Sequence, residues 1–91
     1  MEFKQLEMFV AVAEERSVIR AAERVCRTQP AVSMALSKLE AEFGAPLFDR
    51  SRERRFLLTR AGELLHEYAK RMLELRDEVE EALTQRTSQC C

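Results

Sequence analysis

The sequence predicts a mainly α-helical fold of three short helices, a small β-hairpin and one long terminal helix. Three observations carry this. The segment TQPAVSMALSKLE, residues 28–40, starts an amphipathic helix with a proline and follows another short helix after a three-residue gap. Two short apolar stretches then flank the arginine-rich tip RSRERR, residues 50–55. Beyond them, apolar residues recur at heptad spacing from 65 to 82 with no proline among them. The composition agrees: of 91 residues, 46% are hydrophobic and 34% charged, with only two glycines and two prolines. That balance suits a soluble helix-rich globule and excludes disordered or collagen-like chains.

The first helix is expected over FKQLEMFVAVAEE, residues 3–15, where Leu6, Phe9, Val10 and Ala13 recur at i, i+3, i+4 and i+7 and make one inward stripe. Ser17 caps a second helix, VIRAAERV, by accepting from a free backbone N–H at its start. Either Val18 or Ile19, with Ala22 and Val25, forms its buried stripe, and the Ala21-Ala22 pair admits a closely crossing neighbour. Only Cys26, Arg27 and Thr28 separate it from the next helix. So short a turn gives a helix-turn-helix corner of roughly 90 to 120°.

Thr28 is a suitable N-cap, and Pro30 falls in the first turn, where its missing N–H has no intrahelical acceptor to lose. Val32, Ala35, Leu36, Leu39 and Phe43 form the expected core face, with Gly44 as the left-handed stop and Pro46 beyond it. Opposite them stand Gln29, Ser33 and Ser37, flanked by Pro30, Met34 and Lys38. An ordinary solvated face would carry long charged side chains paired at i, i+4. Short polar groups instead let the helix backbone approach another surface, and a DNA major groove about 12 Å wide admits such a helix.

LFDR and RFLLT, on either side of the arginine tip, suggest a β-hairpin wing within residues 46–59. Arg52 and Arg54 at the tip suit a minor groove, whose negative potential attracts them, while Arg50 and Arg55 suit phosphates. Ser17, Arg27, Thr28 and Lys38 complete the expected backbone contacts. The long helix starts after Thr59. Leu65, Tyr68, Met72, Leu75, Val79 and Ala82 give it an a/d pattern of nearly three heptads, expected to pair with a second copy of the chain. The organisation is therefore residues 1–59 as a winged helix-turn-helix domain, 60–88 as a linker and dimerisation helix, and 89–91 as a frayed tail.

Charge fits this division. Residues 1–60 hold eleven Lys or Arg against nine Asp or Glu, and residues 61–91 hold four against seven, so an acidic tail masks a mildly basic front. The three cysteines, Cys26, Cys90 and Cys91, are odd in number, two of them adjacent at the terminus, and read as neither a disulfide framework nor, with the distant His66, a metal site. No cofactor motif is present, and one histidine without a nucleophile–base arrangement leaves no constellation for an enzyme. No apolar run is long enough to span a bilayer and the N-terminus lacks a signal-peptide pattern, so the expected location is the cytoplasm, without a membrane partner.

Taken in order, FKQLEMFVAVAEERS, AAERV, TQPAVSMALSKLEAEFGAPLFDR and LTRAGELL closely resemble the N-terminal DNA-binding region of the LysR-type transcriptional regulators, over residues 1 to about 85. The resemblance implies a winged helix-turn-helix and a linker helix that pairs antiparallel with its mate, so that a homodimer binds an interrupted inverted repeat in double-stranded DNA and controls transcription. It places Gln29, Pro30 and Ser33 at base edges, with Met34 and Ser37 beside them. Met34 stands where members often carry arginine or glutamine, which implies apolar contact, as with a thymine methyl. The wing looks about one residue longer than usual, with Glu53 where an arginine is common. Members also carry a domain that senses a small effector, none of which falls within these 91 residues. The alternative is a helical interaction module that does not bind DNA.

Overall fold

The computed structural model describes residues 1–49, 51 and 56–84. Among them the chain forms α1 (Phe3–Glu15), α2 (Val18–Val25), α3 (Gln29–Phe43), β1 (Phe48–Asp49), β2 (Leu57–Leu58) and α4 (Arg60–Thr84). The two strands pair antiparallel, with Phe48 opposite Leu58 and Asp49 opposite Leu57. This is a winged helix-turn-helix followed by a long helix, the fold class the sequence predicts. No described helix is long and apolar enough to cross a membrane.

Each early helix starts where a side chain satisfies a backbone donor. Ser17 Oγ accepts from Arg20 N at 3.1 Å, and Thr28 Oγ1 accepts from Ala31 N at 3.3 Å. Ahead of α1, Gln5 Oε1 accepts from Glu2 N at 3.1 Å. The helix ends follow a different chemistry. α3 stops at Gly44 in the left-handed region, but α1 and α2 stop at Arg16 and Cys26, which hold φ of 56° and 57° without being glycine. The left-handed Cys26 turns the chain sharply, and Arg27 N donates to Ala22 O at 2.9 Å to close the corner.

The core is one cluster under α1. Leu6, Phe9 and Val10 are buried there as the period predicts, and so are Met8, Ala11 and Val12, because α2, α3 and α4 all pack on this helix and cover most of its circumference. Ala21 and Ala22 bring α2 in closely, and Val32, Ala35, Leu36 and Leu39 supply the α3 side. The alternative left open at the start of α2 resolves to Val18, which packs on the core, whereas Ile19 is exposed. Phe9, Phe48 and Phe56 form a chain of rings that ties the hairpin to α1. Their centroids lie 5.4 Å apart for the first pair and 5.9 Å for the second. Phe56 holds this place with φ of 57°. That is a strained conformation for a bulky side chain.

Phe43 departs from the expected core face. It is 46% exposed, because the last turn of α3 runs past the edge of the cluster. With Leu47, Leu64, Leu65 and Tyr68 it lines an open apolar groove of about 280 Å³ between α3 and α4.

The seat of α4 explains the LTRAG stretch. Thr59 N donates to Leu47 O at 3.0 Å and Thr59 Oγ1 donates to Pro46 O at 2.7 Å, while the same oxygen accepts from Gly62 N at 3.0 Å. Glu40 reaches across to accept from Leu47 N at 2.8 Å. A Cβ at Gly62 would lie 2.1 Å from Leu47 O, so only glycine allows α4 to start this close to the hairpin.

Candidate nucleic-acid interface

The buried face of α3 holds four apolar side chains at 4% exposure or less, and this anchors the helix while committing its other face outward. Gln29, Pro30, Ser33, Met34, Ser37 and Lys38 all lie exposed on the outward side, as does Ala31. Met34 is 60% exposed, and Ser33 and Ser37 border a shallow hollow formed with Val18, Leu36 and Phe56 at the foot of the hairpin. The face therefore runs from α3 to the foot of the hairpin. Between Gln29 and Lys38, Lys38 is its one charged group. Ala31 is the member that a search for polar side chains overlooks, and its place three residues before Met34 is the signal that adds it.

Arg27 and Thr28 lie exposed in the turn that leads into α3, and Ser17 is half-buried at the start of α2. The Ser17 and Thr28 oxygens accept as helix caps, and their hydroxyl protons are left to donate outward. Arg50, Arg52, Arg54 and Arg55, with Glu53 among them, fall outside the described residues, so the expected wing contacts rest on the sequence. Cys90 and Cys91 fall outside them as well. Cys26 is exposed, and among the described residues no group of His, Cys, Asp and Glu is arranged to hold a metal.

The stripe expected on α4 divides into two. Leu65 and Met72 pack, half-buried, against this domain's own core beside Ala69 and Leu73, which the heptad assignment omits. Tyr68, Leu75, Val79 and Ala82 stay exposed, Leu64 joins them on the outward side, and Leu83 is exposed in the direction of Leu65 but past the domain. At about 100° per residue, the Leu64–Tyr68–Leu75–Val79 row lies roughly a third of a turn from the Leu65–Ala69–Leu73 row. A heptad count averages the two rows, because Leu65 and Met72 border both. Past Arg76 no side chain of α4 is buried, so its last two turns project beyond the domain.

Ion pairs hold this geometry. Arg76 Nη1 meets Glu7 Oε2 at 2.7 Å, and its guanidinium lies 5.4 Å from the Phe3 ring centroid. The ion pair and the cation–π contact together fasten α4 to the start of α1. At the other end of α1, Arg24 Nη2 meets Glu14 Oε1 at 2.7 Å and Arg24 Nη1 meets Glu15 Oε2 at 3.3 Å. The hydrogen bond from Arg24 is the main reason the Glu14 carboxyl is held below its ordinary value. His66 on α4 stands edge-on to Phe9 with Nε2 buried, 3.7 Å from Glu14 Oε2. Glu14 thus lies where α1, α2 and α4 meet, and the outward face of α3 is positioned against a fixed long helix.

Comparison with known proteins places this architecture. The profile of the bacterial regulatory helix-turn-helix protein, lysR family, matches residues 3–63. Over 79 residues the chain is 44% identical to a probable RuBisCO transcriptional regulator of Cyanidioschyzon merolae (strain NIES-3377 / 10D), a match that covers 87% of this chain and 26% of that protein. The chain thus spans about a quarter of that relative's length. Its backbone is similar to the crystal structure of the BenM_DBD/catB site 1 DNA complex, with a TM-score of 0.88 at 33% identity over 99% of this chain and 100% of the other. It is likewise similar to the CbnR_DBD-DNA complex, with a TM-score of 0.84 at 38% identity over 94% and 98% of the two chains. The matched span runs from the first residue of α1 into the seat of α4, and the chain belongs to the lysR family of bacterial regulatory helix-turn-helix proteins.

Proposed function

We propose that this chain binds duplex DNA sequence-specifically as a homodimer, on an interrupted inverted repeat, and so controls transcription. The observation that carries the reading is the outward face of α3, where small polar groups and one lysine stand exposed on a helix whose opposite face is locked into the core. A helix of about 10 to 12 Å diameter fits a major groove about 12 Å wide only if its side chains are short where it enters. Gln29 takes the bidentate pattern of adenine N6 and N7, Ser33 and Ser37 donate to or accept from base edges, and Lys38 meets phosphate. Arg27, Thr28 and Ser17 contact the backbone beside them. The arginines of residues 50–55 serve the wing, with Arg52 and Arg54 toward the minor groove and Arg50 and Arg55 toward phosphates. The two similar structures, both DNA complexes, support the reading.

Pairing falls to the exposed row of α4. A helix of 25 residues extends roughly 38 Å, and its apolar row overhangs the domain that would otherwise cover it. Two such helices running antiparallel cover each other's rows and fix the interval between two recognition helices.

Selection from random duplexes tests the whole reading. The expected product is an inverted repeat with a constant interval, and binding that falls log-linearly with salt. Enrichment of no sequence, or association that ignores salt, would favour a protein-interaction module instead. Within the selected site, Gln29→Ala should cost about 1 to 3 kcal/mol and relax preference at one base pair per half-site.

A further inference from the structure

We propose that Met34 reads the C5-methyl group of a pyrimidine, so that affinity rises where thymine or 5-methylcytosine faces it and cytosine methylation at that base pair becomes a signal this protein can detect. The inference rests on α3 entering the major groove.

The geometry singles Met34 out. At about 100° per residue, the buried side chains Val32, Ala35, Leu36 and Leu39 centre on one direction, and Pro30, Met34, Ser37 and Ala41 project nearest the opposite pole of the helix. Ser33 lies on one flank of that pole, with Ala31 and Lys38 on the other. Met34 is the longest of the four side chains nearest the pole, so whatever surface α3 meets there, Met34 meets it most deeply. Neither Pro30 nor Met34 offers a side-chain donor, and a thioether is a weak acceptor, so this pair is blind to the hydrogen-bond pattern of a base edge.

A base edge in the major groove offers an apolar group at one place only, the C5-methyl of thymine. Cytosine presents hydrogen at C5, and 5-methylcytosine presents the same methyl as thymine. Met34 suits such a target because its unbranched, polarizable side chain adapts to a small apolar knob. The patch of Pro30, Ala31 and Met34 is bordered by Ser33, Ser37 and Lys38, with only the small Ala41 beyond on the same side, a size that covers one methyl group rather than the buried core of a protein interface. None of the described residues covers it, and every other apolar side chain from Val32 to Leu39 is buried.

The test uses the duplex that selection yields. Each thymine of one half-site is replaced in turn by deoxyuridine, which removes the C5-methyl and changes no hydrogen-bonding group. The wild-type chain should lose about fourfold in affinity at one position, the ~0.8 kcal/mol of a single buried methyl. Met34→Ala should bind the parent duplex more weakly and lose nothing further at that position, while Met34→Leu should keep the sensitivity. Placing cytosine and then 5-methylcytosine at the same position should restore the methyl-dependent gain in the wild type and not in Met34→Ala. A flat deoxyuridine scan, or a loss undiminished in Met34→Ala, would overturn the proposal with DNA binding intact. No binding to the parent duplex would sink it together with the proposed function.

Discussion

The outward faces of α3 and α4 are built on the same backbone and carry opposite chemistry. On α3 the side chains are short and mostly polar, with one apolar point at Pro30 and Met34 and a single lysine. On α4 the outward row is Leu64, Tyr68, Leu75 and Val79, bordered by Arg71, Glu78 and other charges. A continuous apolar row with a charged border suits another helix, because both rows lose water together and the borders set register. A short polar face with an isolated apolar point suits a surface that is itself polar and patterned. On the proposed reading, one helix meets its own kind and the other a different polymer.

The largest expected effect comes from charging the α4 row. Leu75→Glu combined with Val79→Glu, both at exposed positions, should leave the fold intact and give monomers in equilibrium sedimentation. Affinity for a paired site should then fall by roughly 100-fold or more, as the second half-site no longer gains from the first. A persistent dimer would show that this row is not the interface. The corresponding pair at Leu65 and Met72 should instead unfold the domain, since those side chains pack on its core.

Next in size is the joint that fixes the two faces relative to each other. Gly62→Ala places a Cβ against Leu47 O, a backbone atom that cannot swing aside. The expected destabilisation is about 1 to 3 kcal/mol, read as a lower melting temperature. Lys38→Ala is milder. It should weaken DNA binding evenly across sequences and reduce the slope of log affinity against log salt by about one, with no change in dimerisation.

The smallest effect is acid sensitivity at Glu14. Its carboxyl is held below the ordinary range in the folded state, chiefly by Arg24, so the pair adds stability above that range and loses it as pH falls through and below it. Both partners are more than a third exposed and solvent screens them, so the increment is small. Glu14→Gln should melt slightly below wild type at neutral pH, and the gap should close as pH falls below the ordinary carboxylate range and Glu14 takes up its proton. A gap that widens in acid would reverse the assignment.

Much of this was legible in the residues. Pro30 after Thr28 marks the start of α3, Gly44 marks its end, and Ser17 caps α2, because caps and stops act over three or four residues and need no tertiary context. The ends of α1 and α2 were less visible, since Arg16 and Cys26 take left-handed conformations that a sequence reading assigns to glycine. Of the candidate interface, Ser33, Met34, Ser37 and Lys38 share the outward half of α3, as the helical period requires, and Gln29 is exposed in its first turn.

The sequence by itself determined that α4 is long, amphipathic and apolar at a near-heptad period, since periodicity is a property of the helix alone. Which apolar side chains meet which partner was decided by the tertiary structure. Gly62 sets α4 against Leu47, Arg76 fastens it to Glu7, and between these two points Leu65, Ala69, Met72 and Leu73 turn onto α1. The residues a third of a turn away are left uncovered, and so are those past Arg76, where the domain ends. A hydrophobic stripe records only that something must cover it, and the angle at which two elements are joined determines whether that cover is the chain itself or a second copy.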